Sequence, residues 1–327
     1  THCDALAPDG LRVLLLQGNI CLICSWLHSL KIWSLLKTRG DSESAMSESI
    51  TATAEMLQNS FFRDSTSSVP ELGRRSTTTL ENKTNIVTTW ARHLSEVREA
   101  QKLRYQVFAI EMGANFPDIL PGYDIDIFDD YCEHLLVRDR KTWEVIGTYR
   151  VLTPAQAKLA GKFYSDGEFD LRALQSLRGR LAEIGRSCVH KNYRQGSVIL
   201  ALWKALVLFM TQNRLDDVVG CVSIPMNMQV NNNQIGMGYA AASIWRQMKE
   251  NHLASRELQV IPRLPLPVEQ LDQMLDIEPP ALVRGYLRVG AKVLGAPAWD
   301  PNFNTADLPM LMRMKDLPER YRKHFLG

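Results

Sequence analysis

Carboxylates gather in one stretch of the chain, between Glu111 and Glu133, with no Lys or Arg among them. The aspartates of this stretch are Asp118, Asp124, Asp126, Asp129 and Asp130. Carboxylates beside a pocket would attract a cationic small molecule, because charge attraction and hydrogen bonding both favour an ammonium group there. A solvated acidic loop is the plainer interpretation of the same composition. A calcium loop is disfavoured, since the run lacks the Gly and the Glu at the fixed positions of an EF-hand.

A second candidate site lies between Glu183 and Ser197. The pattern over 181–189 predicts a strand with two faces, Glu183, Gly185 and Ser187 against Ile184, Arg186 and Cys188. A helix is expected to begin at Gly196 and Ser197, and its free N–H groups can hold a phosphate or a pantetheine arm. An unpaired carboxylate in a strand is costly, so Glu183 is either a functional group or the partner of an Arg across the sheet.

The six cysteines are sparse and form no metal-type array, which favours a reducing compartment and predicts no metal site. The pair Cys21 and Cys24 has no second pair and no His at zinc spacing, so we interpret it as incidental. Cys188 is a conceivable acyl-accepting nucleophile. Nothing in the sequence supplies a group to activate it, and a Cys in an apolar strand is usually a small core residue.

These groups must be positioned by a chain in which helical and extended patterns alternate. Helices are predicted over 93–113, between Thr153 and Gly161, over 198–210 and over 240–252. Strands are predicted over 134–137, 145–152, 181–189, 217–224 and 258–264. Such alternation is typical of an α/β or α+β sheet that is covered by helices.

The chain of 327 residues carries a formal charge of +2, which excludes the strongly basic composition of a dedicated nucleic-acid binder. We expect one globular domain over 86–327. Residues 1–85 are expected to form a disordered or weakly structured leader, because the later part is rich in Ser, Thr, Glu and Asn. The apolar stretch at 11–36 is too interrupted to span a membrane. We expect the natural start at Met46 or Met56, with 1–45 as upstream sequence or a weak membrane-surface segment.

Short runs distributed over 88–327 form a recognisable set. They are Arg104-Tyr105-Gln106-Val107-Phe108, Asp126-Ile127-Phe128-Asp129, Val145-Ile146-Gly147-Thr148-Tyr149-Arg150, Glu168-Phe169-Asp170, Glu183-Ile184-Gly185-Arg186, Gly285-Tyr286-Leu287-Arg288, Trp299-Asp300-Pro301 and Phe303-Asn304-Thr305-Ala306-Asp307. Together they resemble the L-ornithine Nα-acyltransferases of ornithine-lipid synthesis, which are often labelled hemolysin-like and belong to the GNAT superfamily. The resemblance implies an α/β (α+β) fold with three α-β-α layers and a mixed, splayed central sheet.

The same core is similar to the acyl-homoserine-lactone synthases, on which the candidate residues also match. The matching positions are Arg104 and Phe108, Asp126 and Asp129, Arg150, and Glu183 with Arg186. Both families move an acyl chain from acyl carrier protein to an amino-acid amine. The resemblance therefore implies transfer of a (3-hydroxy)acyl chain to the α-amine of L-ornithine, which gives a lyso-ornithine lipid and needs no permanently bound cofactor.

The resemblance also implies roles for these residues. Asp126 and Asp129 would hold the ammonium groups of the acceptor, in a substrate site that includes Arg104, Phe108 and Arg150. Glu183 would act as the general base, directly or through water, because only a deprotonated amine attacks a thioester. Arg186 and Arg150 would position the acceptor carboxylate or the acidic loop.

The acyl donor would be held by Val189, Tyr193, Arg194, Gly196 and Ser197. Where the usual GNAT pyrophosphate loop has its glycines, this chain has Ser197 and Ile199. A loop without those glycines approaches a pyrophosphate less closely, which fits the phosphopantetheine arm of acyl carrier protein better than free coenzyme A. Acidic carrier protein could dock on basic residues, or these could be scattered solubilising charges: Lys191, Arg194, Arg246, Lys249, Arg284, Arg288 and Lys292.

Two other functions stay open at this point. One is N-acylation of a different amine, including a homoserine-lactone synthase that would require S-adenosylmethionine. The other is a non-catalytic, membrane-active protein, although neither a spanning segment nor a strongly amphipathic basic helix appears in the sequence. For the enzyme we expect a cytoplasmic location, with peripheral contact at the inner face of the cytoplasmic membrane.

Overall fold

The structure, a computed structural model, describes residues 85–115, 120–230 and 233–327. The expected leader, its cysteine pair and its candidate start sites lie outside the described residues, as does Asp118. The helices are α1 Leu94–Tyr105, α2 Pro154–Leu159, α3 Ser197–Gln212, α4 Tyr239–Asn251, α5 Ala281–Arg288 and α6 Glu319–Leu326. The strands are β1 Ile86–Trp90, β2 Glu133–Asp139, β3 Val145–Leu152, β4 Phe169–Asp170, β5 Leu181–Val189, β6 Asp217–Pro225, β7 Met228–Val230, β8 Asn233–Ile235, β9 Ile261–Pro262, β10 Lys292–Val293, β11 Ala298–Asp300 and β12 Thr305–Arg313.

The central sheet has the order β1-β2-β3-β5-β6-β12-β10, and β11 also pairs with β12. Its pairs are antiparallel except for β5 with β6. This parallel pairing ends where Glu183 lies opposite Val219, although both strands continue. A Cβ atom on Gly220 would lie only 2.6 Å from the carbonyl oxygen of Ile184, so glycine permits the close approach at this point. Beyond it the two strands separate, which makes the sheet splayed.

Helices cover both faces of the sheet. Leu135 and Val137 pack against α3, whereas Leu136 between them packs against Ala100 of α1. This alternation shows that α1 and α3 lie on opposite faces. Helix α2 joins α1 on its face, and α4, α5 and α6 lie on the α3 face. The expected three-layer fold with a mixed, splayed sheet is confirmed.

Most of the predicted elements are confirmed, including β5 with both of its ends. Thr153 caps α2, because its side chain accepts the N–H of Gln156. The helix predicted over 93–113 consists of α1 followed by a π-helical turn, Gln106–Glu111. The strand predicted over 258–264 is wrong apart from the two residues of β9. In the part of the chain that is described, no helix is long and apolar enough to cross a bilayer.

Candidate active site

A cavity of about 600 Å³ occupies the gap between β5 and β6. One end is polar and lies on the face of the sheet that carries α1 and α2. The other end is apolar and lies beneath α3, α5 and α6. The splay of the sheet therefore opens a passage that connects its two faces.

A β-bulge interrupts β5 at the polar end. Thr148 of β3 lies opposite Cys188, and Arg150 lies opposite Gly185, so β5 has one residue more than β3 over this interval. Arg186 occupies the bulge with a φ angle of +50°. A bulge redirects side chains, because it breaks the alternation of a strand.

The strict alternation predicted for this strand is therefore wrong from Arg186 onward. Ile184 packs with the α3 side of the sheet, whereas Cys188 packs with Leu103 on the α1 side. Arg186 lies on the same side as Glu183, where both line the cavity. The bulge thus brings the two predicted catalytic side chains together.

Two backbone amides hold the carboxylate of Glu183. Oε2 accepts the N–H of Tyr164 at 2.6 Å, and Oε1 accepts the N–H of Ser165 at 2.8 Å. Both donors begin the 3-10 helix Tyr164–Gly167. The hydrogen bonds of Glu183 thus come from the backbone of Tyr164 and Ser165 and from the Ser165 side chain, and not from an Arg across the sheet, which was the alternative. Burial raises the pKa of Glu183 against the opposing effect of these hydrogen bonds, so its proton affinity exceeds that of an ordinary Glu.

The acidic loop and three arginines from different elements form one ion-pair network: Asp124, Asp126, Asp129, Arg104, Arg150 and Arg186. Arg104 of α1 donates to Asp124 at 2.8 Å and to the two oxygens of Asp129 at 2.9 and 2.8 Å. Arg150 donates to Asp126 and, at 3.0 Å, to Asp129. Arg186 donates to Asp124 and Asp126, both at 3.1 Å. The opposite charges balance within the network.

This network bears on the predicted role of Asp126 and Asp129. Burial would raise the pKa of Asp126, but the charges of Arg150 and Arg186 hold it below its ordinary value. In the same way, Arg104 and Arg150 outweigh burial and hold the pKa of Asp129 well below its ordinary value. Neither carboxylate lines the cavity. Their role as ligands for an acceptor ammonium stays a prediction, and the geometry has them anchor the loop to the arginines.

Arg104 and Phe108 were both predicted to bind the substrate, but only Phe108 lines the cavity. Arg104 is only 1% exposed and lies behind the cavity wall. Phe108 lines the cavity and contacts the ring of Phe303 edge to face, with 5.7 Å between ring centroids. The guanidinium of Arg186 lies 5.0 Å from the centre of the Phe303 ring and 5.1 Å from that of Tyr164. These rings restrict where Arg186 can point.

The predicted donor residues are brought together only in part. Val189 and Arg194 line the cavity, and Arg194 donates to the carbonyl of Val189 at 2.9 Å. Gly196 is the N-cap of α3 with a φ angle of +105° and provides no side-chain cap. Ser197 begins that helix, outside the cavity lining. Tyr193 points elsewhere and donates its hydroxyl to Asp139 at 3.1 Å.

The predicted basic surface is partly neutralised. Arg194, Arg246 and Arg284 each form an ion pair with a glutamate. Lys191 and Lys249 are exposed. The docking of a carrier protein on this surface stays a prediction.

Cys188 has the surroundings of a core residue. It is buried and packs with Leu103 and Val107. Burial raises the pKa of its thiol to about 12, whereas a nucleophilic cysteine needs a lowered pKa.

The apolar end of the cavity was not identified from the sequence. It is lined by large side chains from three helices and β12: Trp203, Leu206, Val207, Leu282, Tyr286, Phe325 and Met310. Trp203 stacks on Tyr286 with 5.5 Å between ring centroids. Such a surface favours a hydrocarbon chain over water.

A further carboxylate cluster in the cavity was also missed. Glu168, Asp300 and Asp307 line the polar end, and one carboxylate oxygen from each lies within 4.8 Å of the other two. In the sequence these residues stand out only as parts of the family resemblance. Glu168 is far in the chain from Asp300 and Asp307, so no spacing rule connects the three, and only the fold brings them together.

The comparisons with known proteins agree with this geometry. A family model described as Acetyltransferase (GNAT) domain matches residues 103–204. The L-ornithine N(alpha)-acyltransferase of Agrobacterium fabrum is 31% identical over 256 residues, which cover 72% of this chain and 84% of that protein. The L-ornithine N(alpha)-acyltransferase of Rhodobacter capsulatus is 32% identical over 251 residues, which cover 72% and 92% of the two chains.

A solved CoA-dependent acyl-homoserine lactone synthase, BjaI, aligns over 71% of this chain and 81% of its own, with 15% identity and a TM-score of 0.40. That likeness is too distant to support any inference. The two relatives, matched over most of their length, confirm the resemblance that the sequence runs indicated. This chain is an acyltransferase and belongs to the L-ornithine N(alpha)-acyltransferase family.

Proposed function

We propose that this protein transfers a (3-hydroxy)acyl chain from acyl carrier protein to the α-amine of L-ornithine and so forms a lyso-ornithine lipid. The names of the relatives support ornithine as the acceptor. The observation that carries the proposal is the position of Glu183. Its buried carboxylate faces a cavity with one polar and one apolar end, at the point where β5 and β6 separate.

The proposed reaction uses this position. Glu183, directly or through one water, removes a proton from the α-ammonium, and the free amine then attacks the carbonyl carbon of the thioester. A C–N bond forms, the resulting tetrahedral intermediate collapses, and the C–S bond breaks. The sulfur leaves as a thiolate and takes a proton. The products are an amide, a thiol and one proton released to solvent, without an acyl-enzyme.

The chain also contains groups that suit the developing charge and the acyl chain. Beyond Glu183, β5 is not paired with β6, so its backbone N–H groups on that side are available to the thioester oxygen. The two amides that hold Glu183 fix the direction of its carboxylate before substrate binds. The surface around Trp203 suits the hydrocarbon chain.

The donor is expected to be carrier protein. The first turn of α3 has no side-chain cap and offers N–H groups to a phosphate, but Ser197 and Ile199 stand where the usual pyrophosphate loop has its glycines. This supports a single phosphate on a pantetheine arm over coenzyme A. The lipid product is expected to draw the enzyme to the inner face of the cytoplasmic membrane.

The test is an assay with 3-hydroxyacyl-carrier protein and acyl-coenzyme A as alternative donors, and with ornithine, lysine and glycine as alternative acceptors. Mass spectrometry should detect N-acyl ornithine, with carrier protein as the better donor. Failure to acylate any amino acid would overturn the proposal. Formation of a lactone in the presence of S-adenosylmethionine would replace it with a homoserine-lactone synthase.

A further inference from the structure

The carboxylate cluster at the polar end of the cavity has no role in the chemistry above. Glu168 directly follows the 3-10 helix that holds Glu183, Asp300 ends β11, and Asp307 lies on β12. Three elements therefore direct carboxylates to one point, where one oxygen from each lies within 4.8 Å of the other two. The cavity that these side chains line also contains Glu183.

The cluster lacks a cation of its own. Among the described residues, no Lys, Arg or His forms an ion pair with any of the three carboxylates. The Oε2 atom of Glu168 is fully buried and has no hydrogen-bond partner. Asp307 is only 5% exposed and accepts the hydroxyl of Thr305 at 2.9 Å. One oxygen of Asp300 accepts the N–H of Asn302 at 2.8 Å. A buried carboxylate oxygen without a donor is costly, so this arrangement favours a ligand that brings donors and positive charge.

Burial and mutual repulsion disfavour the charged forms of the carboxylates in this cluster. Burial, together with the neighbouring Asp307, Asp300 and Glu183, raises the pKa of Glu168 to about 8. Burial also raises the pKa of Asp307 to about 6. A bound cation would reverse both effects, because it favours the charged forms of the two groups.

We propose that Glu168, Asp300 and Asp307 bind the side-chain ammonium of a basic amino-acid acceptor and thereby select it over neutral amino acids. This inference rests on the proposed function, since it places the acceptor in the same cavity. An ammonium presents three donors, which matches three converging carboxylates. Glu183 lies close enough for its charge to act on Glu168. The cavity thus offers separate acidic groups to the two amines of a diamine, one for proton removal and one for recognition.

A divalent metal is the other cation that carboxylates attract. Calcium takes six to eight oxygen ligands, and magnesium demands a near-ideal octahedron. The neighbouring side chains that hydrogen-bond with the cluster are the Cys221 thiol and the hydroxyls of Ser223 and Thr305. A thiol is a poor ligand for either ion. An ammonium needs fewer ligands than either metal ion, so it suits this set of groups better.

The test compares ornithine with norvaline, which has the same carbon chain without the terminal amine. In Asp307→Asn and Glu168→Gln, kcat/KM for ornithine should fall on the order of 10- to 100-fold, because a charged hydrogen bond is lost. The value for norvaline should fall much less, so that the preference for ornithine shrinks. The matched control is Asp216→Asn, which removes an exposed carboxylate that pairs with Arg180 away from the cavity and should change neither value.

Two kinetic results would overturn the inference: an equal fall in kcat/KM for both acceptors, or full retention of the preference for ornithine.

Calorimetry measures binding without turnover, so it decides the inference even if no amino acid is acylated and the proposed function fails. Wild type should bind ornithine at least tenfold more tightly than norvaline, and Asp307→Asn should lose that difference. Equal binding of the two by wild type would refute the inference. So would tight Ca²⁺ or Mg²⁺ binding that Asp307→Asn abolishes while discrimination between the amino acids persists. Melting temperatures confirm that each variant is folded.

Discussion

Replacement of Glu183 by Gln separates the chemical role of this residue from its structural role. The carboxylate accepts one backbone N–H on each oxygen, from Ser165 and Tyr164. Gln keeps the size of the side chain but has only one acceptor oxygen. Its NH₂ group would therefore face one of the two amide donors. We expect the free energy of unfolding to fall by about 1–3 kcal/mol, which is the usual cost of an unpaired buried donor. A domain of ordinary stability would remain folded.

The effect on the reaction should be much larger. General-base catalysis typically contributes about 10²- to 10⁴-fold, so kcat/KM of Glu183→Gln should fall by that factor near neutral pH. The loss should depend on pH. As pH rises through the pKa of the acceptor amine, solvent removes the proton that Glu183 otherwise takes, so the difference from wild type should shrink. In wild type the rate should fall as pH drops through the pKa of Glu183, which burial raises above that of an ordinary Glu.

The assay is a pH series of kcat/KM with acyl-carrier protein and ornithine, accompanied by urea unfolding of the same preparations. Glu144→Gln is the matched control, because Glu144 is exposed and lies outside the cavity. It should change neither rate nor stability. A rate loss in Glu183→Gln that is the same at every pH would assign Glu183 to structure alone. A loss smaller than about tenfold would also refute the role as general base.

Three other predictions test the surroundings of the site. Arg104→Met leaves the buried Asp124 and Asp129 without a main partner and should lower the free energy of unfolding by about 3–5 kcal/mol in urea titrations. The difference in the free energy of unfolding between this variant and wild type should narrow as pH falls and Asp129 becomes protonated. The reason is that the lowered pKa of Asp129 stabilises the folded state only at higher pH. A difference in stability that does not depend on pH would contradict this. Cys188→Ala should keep most of its turnover, and mass spectrometry should find no acyl group on the wild-type thiol; an acylated Cys188 would refute direct transfer. In Gly285→Ala the new Cβ would lie 2.5 Å from the Trp203 ring. The value of kcat/KM should therefore fall more for donors with long acyl chains than for donors with short ones. An unchanged dependence of kcat/KM on chain length would show that this ring does not line the acyl path.

Elements with a strong local signal could be predicted from the sequence, and elements made by long-range pairing could not. The apolar run of α3 and the bounds of β5 are visible in the residues themselves. Strand β12 contains Pro309 and the charged Asp307, both of which argue against a central strand. It nevertheless pairs with β6 over nine residues, Thr305 to Arg313. The opposite error occurred at 258–264, where a β-like pattern has only two residues in a strand.

The candidate site shows the same division. Glu183, Arg150 and Arg186 were identified, and all three line the cavity. The bulge at Arg186 was not foreseen, because a register shift depends on the partner strand and leaves no mark in the strand's own pattern. Arg150 and Arg186 were expected to position either the acceptor carboxylate or the acidic loop, and they form ion pairs with the loop. The contribution of Arg104 to the same network was not foreseen, since it comes from α1.

Arg186 lies near both the acidic loop and the carboxylate cluster, and its pairing with the loop explains why the two differ. Its guanidinium is bound by Asp124 and Asp126, and its charge also reaches Asp307, whose pKa it lowers slightly against the effect of burial. Without those partners the charge of Arg186 would be free to pair with Asp307, and an internal ion pair there would compete with any ligand. The pairing of Arg186 with the loop thus leaves the cluster without an internal cation and open to a ligand. Carboxylates that contact arginines therefore form a rigid, charge-balanced loop, whereas carboxylates that no arginine contacts are left to bind a ligand.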